Sequence, residues 1–323
     1  NAALSLPLHP FLSLAAASNL LMLFSTALSG FGTYLLIRYL LAGEWRRGRP
    51  AALWWAAFLG GAVYAFAGNR FVYLALGHYD RVSTEWLPFF ALFFVKTLRE
   101  RKALNPVLAG LFAACAMLCE MIYGVFLAIL ALILLAFELR PRTRSRRARQ
   151  DTWGRLAGRL ALLALAAGVV YGPVLYYVLQ EMSKGYILSG WGDALKLSAD
   201  LLSFVTPTAL NPIFGGDWAG ELAAVRQGAA RFADVNTVVV GWAVLVAGVL
   251  ACIRHWRRVR VWAVAALTFA VLSLGPLLQI NGRYQFNLDG LQTTFPLPFI
   301  LLHYLPIAKG NRAPNRNSVI LML

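Results

Sequence analysis

A short segment between two apolar stretches collects ionisable side chains. Within 16 residues it holds two arginines, one histidine and two carboxylates: Arg70, His78, Asp80, Arg81 and Glu85. A guanidinium neutralises phosphate through paired N–H donors, and a carboxylate can take up a proton or hold a metal ion. One interpretation is a site in which Arg70 and Arg81 bind a phosphorylated lipid headgroup while Asp80 or Glu85 handles a proton or a metal. The alternative is an interfacial loop whose charges pair with one another.

Five more ionisable residues are candidates for substrate binding. Glu120 interrupts a long apolar stretch. A carboxylate at membrane depth marks a site, whereas one in a surface turn does not, and the sequence leaves both interpretations open. Arg312 and Arg316 are four residues apart, a spacing suited either to gripping a phosphate or to anchoring at the interface. Asp200 lies in a segment that is a substrate-binding candidate or a packing lid, and Arg283 opens the next polar segment.

The composition indicates that a membrane-embedded fold positions these residues. Hydrophobic residues make up 59% of the 323-residue chain and charged residues only 14%, against about a quarter charged in soluble domains. A single soluble domain is therefore excluded. Since a helix needs about 20 mostly apolar residues to cross a bilayer, we predict an all-α, polytopic integral membrane helix bundle with eight spans. The predicted spans are Phe11–Ile37, Ala51–Asn69, Thr84–Leu98, two short helices that share Ala103–Phe137 and meet near Cys119–Gly124, Leu160–Gln180, Val235–Ile253 and Val261–Gly282.

The charges predict which way the chain is threaded. Twenty of its 30 Lys and Arg residues fall in four loops that the eight-span layout places on one side of the membrane. Cytoplasmic loops collect Lys and Arg, so we predict that this side is cytoplasmic. Segments 68–85, 181–234 and 283–316 are then extracytoplasmic and contain the predicted site, with interfacial helices expected in 181–234. The long basic run at 140–159 indicates topology and proximity to anionic lipid rather than a nucleic-acid surface, because its one aromatic residue is Trp153.

Other features limit the kinds of chemistry. Cys115, Cys119 and Cys252 all lie in apolar stretches, which predicts buried thiols rather than a disulfide framework. The sequence has no zinc-binding helix, phosphate-binding loop or dinucleotide fingerprint. We therefore predict no cofactor, and the sequence leaves a divalent metal open. The chain begins at Asn1 and ends in residues that look like the start of another apolar segment, so we expect one multi-span domain over 1–323 that is a fragment of a longer protein.

Taken together, these patterns resemble the bacterial polytopic membrane glycosyltransferases of the GT-C type, which include relatives of the mannosyl- and arabinosyltransferases. The resemblance covers essentially the whole chain and includes the short-loop, multi-span layout with large outer loops. It rests on these segments: Gly77-His78-Tyr79-Asp80, Ser198-Ala199-Asp200-Leu201-Leu202-Ser203-Phe204 with Asn211-Pro212, Pro296-Leu297-Pro298 followed by Leu305-Pro306, and Arg312-Ala313-Pro314-Asn315-Arg316.

The resemblance implies a function in the cell envelope. It implies an inverting transfer of a sugar from a polyprenyl-phosphate donor to a glycan, lipid or protein acceptor at the outer face of the cell membrane. It also implies a general base on the first outer loop, which would precede Phe11 and of which only the tail, with His9, is present. Asp80 would match the second acid of the fold. The arginines implied for the donor phosphate are Arg70, Arg81, Arg283, Arg312 and Arg316.

Two other functions stay open at this point. A lipid or glycan transporter or flippase could use the same spans and outer arginines. Against it, the predicted spans contain few ionisable residues beyond Glu120, whereas ion-coupled transport places several at mid-membrane. A purely structural membrane scaffold would leave the cluster of acids and arginines unexplained.

For sugar transfer, the predicted catalytic residues are His78, Asp80 and Glu85.

Overall fold

The computed structural model describes residues 2–45, 50–75, 77–138, 146–184, 191–207, 216, 238–305 and 308–323. Its contacts divide the chain into two compact units. Unit 1 comprises Asn1–Phe66, His78–Tyr186 and Leu323, and unit 2 comprises Ala67–Gly77 and Ile187–Met322. The predicted segments Asn211-Pro212 and 221–233 lie outside the described residues.

Unit 1 is built from helices. Its longer helices are α1 Leu14–Leu40, α2 Pro50–Ala65, α3 Trp86–Arg99, α4 Leu104–Cys119, α5 Tyr123–Glu138 and α6 Arg146–Ser183. Shorter helical turns cover Ala2–Ser5, Leu6–Leu8, Ala42–Trp45 and Tyr79–Val82. The junction predicted near Cys119–Gly124 is confirmed, because α4 ends at Cys119 and α5 begins at Tyr123.

Three helices in the described part of the chain are long and apolar enough to cross a membrane. They are Leu14–Leu40, Ala51–Arg70 and Trp153–Ser183, each of which coincides with a predicted span. Large apolar side chains on α1 and α6, such as Leu23 and Val169, are exposed, as lipid-facing side chains would be. α4 and α5 are apolar but shorter, and α3 has 14 residues. At 1.5 Å per residue these three helices are about 21–24 Å long.

Small residues allow helices of unit 1 to pack closely. A Cβ added at Gly61 on α2 would lie 2.5 Å from the carbonyl oxygen of Gly30 on α1. A Cβ at Gly110 on α4 would overlap the carbonyl oxygen of Leu163 on α6. Close backbone approach at Gly is the usual way in which helices associate where no hydrophobic effect drives them together. Between α3 and α4, the ring of Phe112 stacks against the three aromatic rings of Trp86, Phe89 and Phe93.

The two long helices extend past the short ones. α1 and α3 run in the same direction, because contacts join their C-terminal ends while Ser25, near the middle of α1, contacts Glu85 just before α3. The part of α1 before Ser25 therefore continues about 16 Å beyond the start of α3. α6 runs parallel to α4, and Gly110 of α4 lies beside Leu163 of α6. From this level α6 continues further than α4, and it ends about 16 Å beyond the end of α4. The short helices thus end on a common level, where Glu120 forms the C-cap of α4.

Unit 2 combines one long helix with short turns and a hairpin. Its elements are the helix Gly68–Ala75, the turns Trp191–Lys196 and Leu201–Phe204, α7 Trp242–Ser273, strands β1 Phe286–Leu288 and β2 Leu291–Thr293, and the turns Phe299–His303, Ala308–Gly310, Pro314–Asn317 and Ser318–Leu321. The strands pair antiparallel, with Leu288 opposite Leu291. Asp289 and Gly290 both have positive φ, 50° and 91°, as a type I′ hairpin turn requires. The all-α prediction holds apart from this hairpin.

α7 consists of two helices that meet at a kink. Its run from Trp242 to Ser273 is interrupted by non-helical backbone at His255 (φ −129°, ψ 28°), within the basic segment predicted to separate two spans. Residues 254–260 contain neither Gly nor Pro, and Arg, Trp and Val are all compatible with helix. The predicted break between two helices is thus present, but the basic residues around it are helical rather than part of a loop. The interfacial helix expected near Asp200 is a single turn, Leu201–Phe204, and the proline-rich stretch after Leu291 is not a continuous helix.

Extended segments of unit 2 are joined by backbone hydrogen bonds. The amide of Ala199 donates to Ser273 O (2.9 Å) and that of Leu201 donates to Gln279 O (2.9 Å). The turn between these partners needs Gly275, which has φ +76° and no room for a side chain, because a Cβ there would overlap Ser198 Oγ. The result is a tightly packed polar core that holds the 198–204 and 273–282 segments together.

Candidate functional site

The 78–85 segment crosses unit 1 at the level where the short helices end. It starts at His78, forms one helical turn over Tyr79–Val82, and reaches α3 through Glu85. The Ser83 hydroxyl donates to Tyr79 O (2.8 Å), which closes the turn on itself. The segment therefore has a defined backbone although it is not part of a long helix.

Hydrogen bonds from three helices hold this segment, two at its backbone and one at the Glu85 side chain. Tyr123 on α5 donates its hydroxyl proton to Arg81 O (2.9 Å), and Tyr64 on α2 donates to Thr84 O (3.2 Å). From α1, the Ser25 hydroxyl lies 2.6 Å from Glu85 Oε2 and 3.5 Å from the carbonyl oxygen of residue 82. A hydroxyl has one proton to donate, so the short contact with the carboxylate is the hydrogen bond. Each interaction spans a large sequence separation and ties the segment to a different helix.

Glu85 is completely buried, with 0% of its surface exposed. Its partner Ser25 lies 11 residues into the 27-residue helix α1, so the carboxylate sits at mid-depth of a helix long enough to cross a membrane. Ser29, one turn further, lies 3.5 Å from the Thr84 hydroxyl. The sequence suggested a role for Glu85 in handling a proton or a metal at the surface. The structure instead places its carboxylate in the polar interior of unit 1, where it anchors the start of α3.

Asp80 and Arg81 are the accessible charges of the segment. Their side chains are 50% and 21% exposed and approach to 3.8 Å between Asp80 Oδ2 and Arg81 Nε. His78 is half-buried at the start of the same turn. A carboxylate and a guanidinium on one fixed turn can act on a hydroxyl and on an anionic oxygen respectively. Of the charged residues predicted in this segment, Asp80 and Arg81 are thus the ones displayed to a ligand.

Glu120 lies in the turn between α4 and α5. Its backbone is extended (φ −148°, ψ 115°), its amide donates to Ala116 O, and its carbonyl accepts from the amide of Tyr123. Its side chain is half-buried. The turn that holds Glu120 lies on the level of the 78–85 segment, and Tyr123 links the two. Glu120 therefore has features of both interpretations left open by the sequence, the site at membrane depth and the turn.

Unit 2 brings together two arginine-bearing segments that are far apart in the sequence. Asn69 Nδ2 donates to Ser318 Oγ (3.1 Å), which joins the 68–75 helix to the 311–318 segment. Arg70 is buried, with 3% of its surface exposed. On the other segment Arg312 is exposed and Arg316 is half-buried. These three arginines belong to the group predicted to bind a phosphate.

Asp200 and Arg283 lie close together in unit 2. Asp200 is buried, and its carboxylate accepts from the amides of Leu202 (2.8 Å) and Gly282 (2.9 Å). It caps the Leu201–Phe204 turn and ties it to the loop that carries Arg283. Both carboxylate oxygens of Asp200 are thus engaged by backbone, while the Arg283 side chain is exposed. The geometry gives Asp200 a part in shaping the loop and leaves Arg283 accessible.

The described residues contain no group of three or more His, Cys, Asp or Glu side chains placed to hold a metal ion.

The residues that hold the 78–85 segment were not identified from the sequence. They are Ser25, Ser29, Tyr64 and Tyr123. One signal was present: Ser25, Ser29 and Thr33 recur every four residues in a mostly apolar helix and are all buried. A row of hydroxyls on one helix face predicts a polar partner packed against it. The two tyrosines gave no comparable signal.

No known protein family, curated protein or solved structure matches the chain.

Proposed function

We propose that this protein is a membrane glycosyltransferase that moves a sugar from a polyprenyl-phosphate donor to an acceptor outside the cytoplasm. The observation that supports the proposal best is the pair of exposed Asp80 and half-buried Arg81 on a turn fixed to three helices. Sugar transfer from a lipid phosphate needs a cation to offset the charge of the departing phosphate and a carboxylate placed at the acceptor hydroxyl. One short, rigid segment supplies both groups.

In this reaction an acceptor oxygen attacks the anomeric carbon, and the bond between that carbon and the phosphate oxygen breaks. The acceptor proton goes to a carboxylate, and both electrons of the broken bond stay with the phosphate. Asp80 is the carboxylate placed at the acceptor hydroxyl. Arg81 faces the phosphate. Single-step displacement from the opposite side inverts the anomeric configuration.

The wider arrangement follows from this proposal. The protein has the GT-C fold with eight spans in the cell membrane, its basic loops are cytoplasmic, and the 78–85 segment is extracytoplasmic. Within unit 2, phosphate binding is proposed for the predicted arginines that keep some exposure. Arg283 and Arg312 are exposed and Arg316 is half-buried, whereas Arg70 is buried. His78 and Glu120 border the turn and contact the sugar or the acceptor.

A transfer assay tests the proposal directly. The full-length protein in liposomes is given a panel of labelled polyprenyl-phosphate sugars with glycan, lipid and peptide acceptors. We expect Asp80→Asn to lower the turnover number by at least about 100-fold, the usual contribution of a positioned acid or base, and Arg81→Gln to do likewise. Glu181→Gln is the matched control, because Glu181 is an exposed carboxylate paired with Lys184 at the end of α6. Full activity of Asp80→Asn, or no turnover with any donor, refutes the proposal.

One observation favours a lipid or glycan flippase as the second candidate. Glu85 is a buried carboxylate at mid-depth of α1, and ionisable groups at such depth occur in transporters. The same liposomes distinguish the two functions. Movement of a labelled lipid-linked sugar across the bilayer without any transfer to acceptor, abolished in Glu85→Gln, would establish the flippase.

A further inference from the structure

One end of unit 1 gathers basic residues from three helices and a loop. Lys96 at the end of α3 lies over the ring of Tyr39 on α1 (5.2 Å), Arg99 approaches Glu138 on α5 (3.9 Å), and Arg159 on α6 donates to the carbonyl of residue 97 (3.0 Å). The loop from α3 to α4 crosses the same end. We call this surface the basic end and define it by these residues: Arg38, Lys96, Arg99, Arg101, Lys102, Arg155 and Arg159.

The acidic side chains described at this end are already engaged. Burial raises the pKa of Glu100, but hydrogen bonds from Asn105 and Tyr39 and the charges of Lys96 and Lys102 outweigh this, so its pKa lies below the ordinary value. The Asn105 bond measures 3.1 Å. Glu138 also pairs with one of the cations of this end, Arg99. The basic end therefore carries a clear excess of positive charge.

Three cations of the basic end project outward. Arg101, Lys102 and Arg155 are exposed. They flank the contact between Arg159 and α3, so the loop after α3 and the first part of α6 present their charges side by side. This arrangement offers several N–H donors to one anionic partner.

The apolar surface of unit 1 begins directly beside these charges. On α6, exposed Trp153 lies near Arg155, and further along the helix Leu165 and Val169 are 64% and 70% exposed. Tryptophan and cations next to a lipid-facing stretch mark the headgroup level of a bilayer. The anion that meets this surface is thus attached to an acyl chain rather than free in solution.

We propose that the basic end is a binding site for anionic phospholipid headgroups. The phosphates of neighbouring lipids lie between Arg101, Lys102 and Arg155, while their acyl chains follow the apolar face of α6. The proposal concerns this end of unit 1 alone and does not depend on sugar transfer. It goes beyond general attraction to a charged membrane because it assigns the preference to three named side chains.

Lipid retention measures this preference. The full chain is placed in nanodiscs with equal amounts of phosphatidylglycerol and phosphatidylcholine, and the lipids that stay bound on release are counted by native mass spectrometry. We expect phosphatidylglycerol to be retained about 10-fold over phosphatidylcholine. Arg101→Gln, Lys102→Gln and Arg155→Gln together should bring the ratio close to one. The control triple variant, Lys184→Gln, Arg254→Gln and Arg257→Gln, removes the same charge from exposed positions outside the basic end and should keep the preference.

Two further readouts make the result decisive. With the unmodified protein, raising the salt from 50 to 500 mM should lower the phosphatidylglycerol preference several-fold, since exposed charges are screened. This measurement holds even if the triple variant fails to fold. Equal loss in both triple variants, or a preference that ignores salt, overturns the proposal. Displacement of the lipid by a short RNA of equal charge would assign the surface to a soluble polyanion instead.

Discussion

The hydrogen bond between Ser25 and Glu85 should contribute measurably to the stability of unit 1. Both residues are essentially unexposed, at 1% and 0%, and their oxygens are 2.6 Å apart. A hydrogen bond to an ionised group contributes about 1.5–3 kcal/mol, and removing one buried partner adds the cost of leaving the other unsatisfied. We therefore expect Ser25→Ala to lower the free energy of unfolding by about 2 kcal/mol.

A double-mutant cycle isolates this interaction. Ser25→Ala, Glu85→Ala and the double variant are unfolded by SDS in bicelles and followed by tryptophan fluorescence. The coupling energy should be about 1.5–3 kcal/mol. Glu85→Gln keeps an oxygen that accepts the same bond, so it should retain most of the stability that Glu85→Ala loses. These variants together distinguish loss of the bond from loss of packing volume.

The control for the cycle is Ser183→Ala. The hydroxyl of Ser183 also donates at short range (2.7 Å), but to Gln180 O at the exposed end of α6. Its removal should change the free energy of unfolding by less than about 0.5 kcal/mol. If Ser25→Ala costs no more than this control, or if the coupling energy is below about 0.5 kcal/mol, the 78–85 segment is not anchored through Glu85 and the reasoning is wrong.

Three other predictions follow from packing and charge. Gly110→Ala should destabilise unit 1 by about 1–3 kcal/mol in the same unfolding assay because α6 leaves no room for a Cβ, whereas Gly168→Ala, with open space around it, should be neutral or stabilising. Gly275→Ala should cost more than Gly290→Ala by thermal melting: both glycines have positive φ, but a Cβ would meet a neighbour only at Gly275. Folding lowers the pKa of Glu100. The stability that its carboxylate contributes is therefore fully present above the ordinary carboxyl pKa and is lost as the pH falls through the lowered pKa. Glu100→Gln should thus flatten the acid side of a stability–pH curve.

Each of these predictions has a clear contrary result. Equal stability of Gly110→Ala and Gly168→Ala would mean that α4 and α6 do not approach as described. Equal melting temperatures for Gly275→Ala and Gly290→Ala would mean that crowding of the Cβ at Gly275 does not lower stability. Both variants would then be destabilised only by the backbone cost of positive φ. An unchanged acid limb in Glu100→Gln would show that other carboxylates dominate acid unfolding.

Much of the helical framework could be predicted from the sequence. Long uncharged runs bounded by charge gave the positions of α1, α2 and α6, because an exposed apolar helix tolerates few charges along its length. The junction between α4 and α5 was also predicted, since Glu120 interrupts a stretch that is too long for one span. In these cases the sequence pattern is sufficient, because hydropathy alone determines where the apolar helices lie along the chain.

Other features depend on packing that a one-dimensional pattern does not contain. Counting charges placed Glu85 at the surface, whereas its burial depends on the hydroxyl of Ser25, 60 residues earlier in the chain. The break near His255 was predicted from the charged segment there, but the helical conformation of the neighbouring basic residues was not, because charge alone says nothing about helix continuity. The hairpin did have a local signal, Asp289-Gly290, which is a strong turn dipeptide. Arg70 was predicted to be accessible for a phosphate, and its burial follows from the packing of the 68–75 helix within unit 2.

The unequal helix lengths in unit 1 have a consequence for the surrounding bilayer. α5, which exposes Leu132, is about 24 Å long, whereas a hydrocarbon core is about 30 Å thick and α6 exceeds it. In the proposed membrane arrangement, such hydrophobic mismatch would thin the bilayer beside α5 and thicken it beside α6. A lipid approaching from the thinner side would bring its headgroup closer to the level of Glu120 without leaving its leaflet. Under the proposed function, acyl-chain length would therefore control how readily a lipid-linked substrate reaches the 78–85 segment.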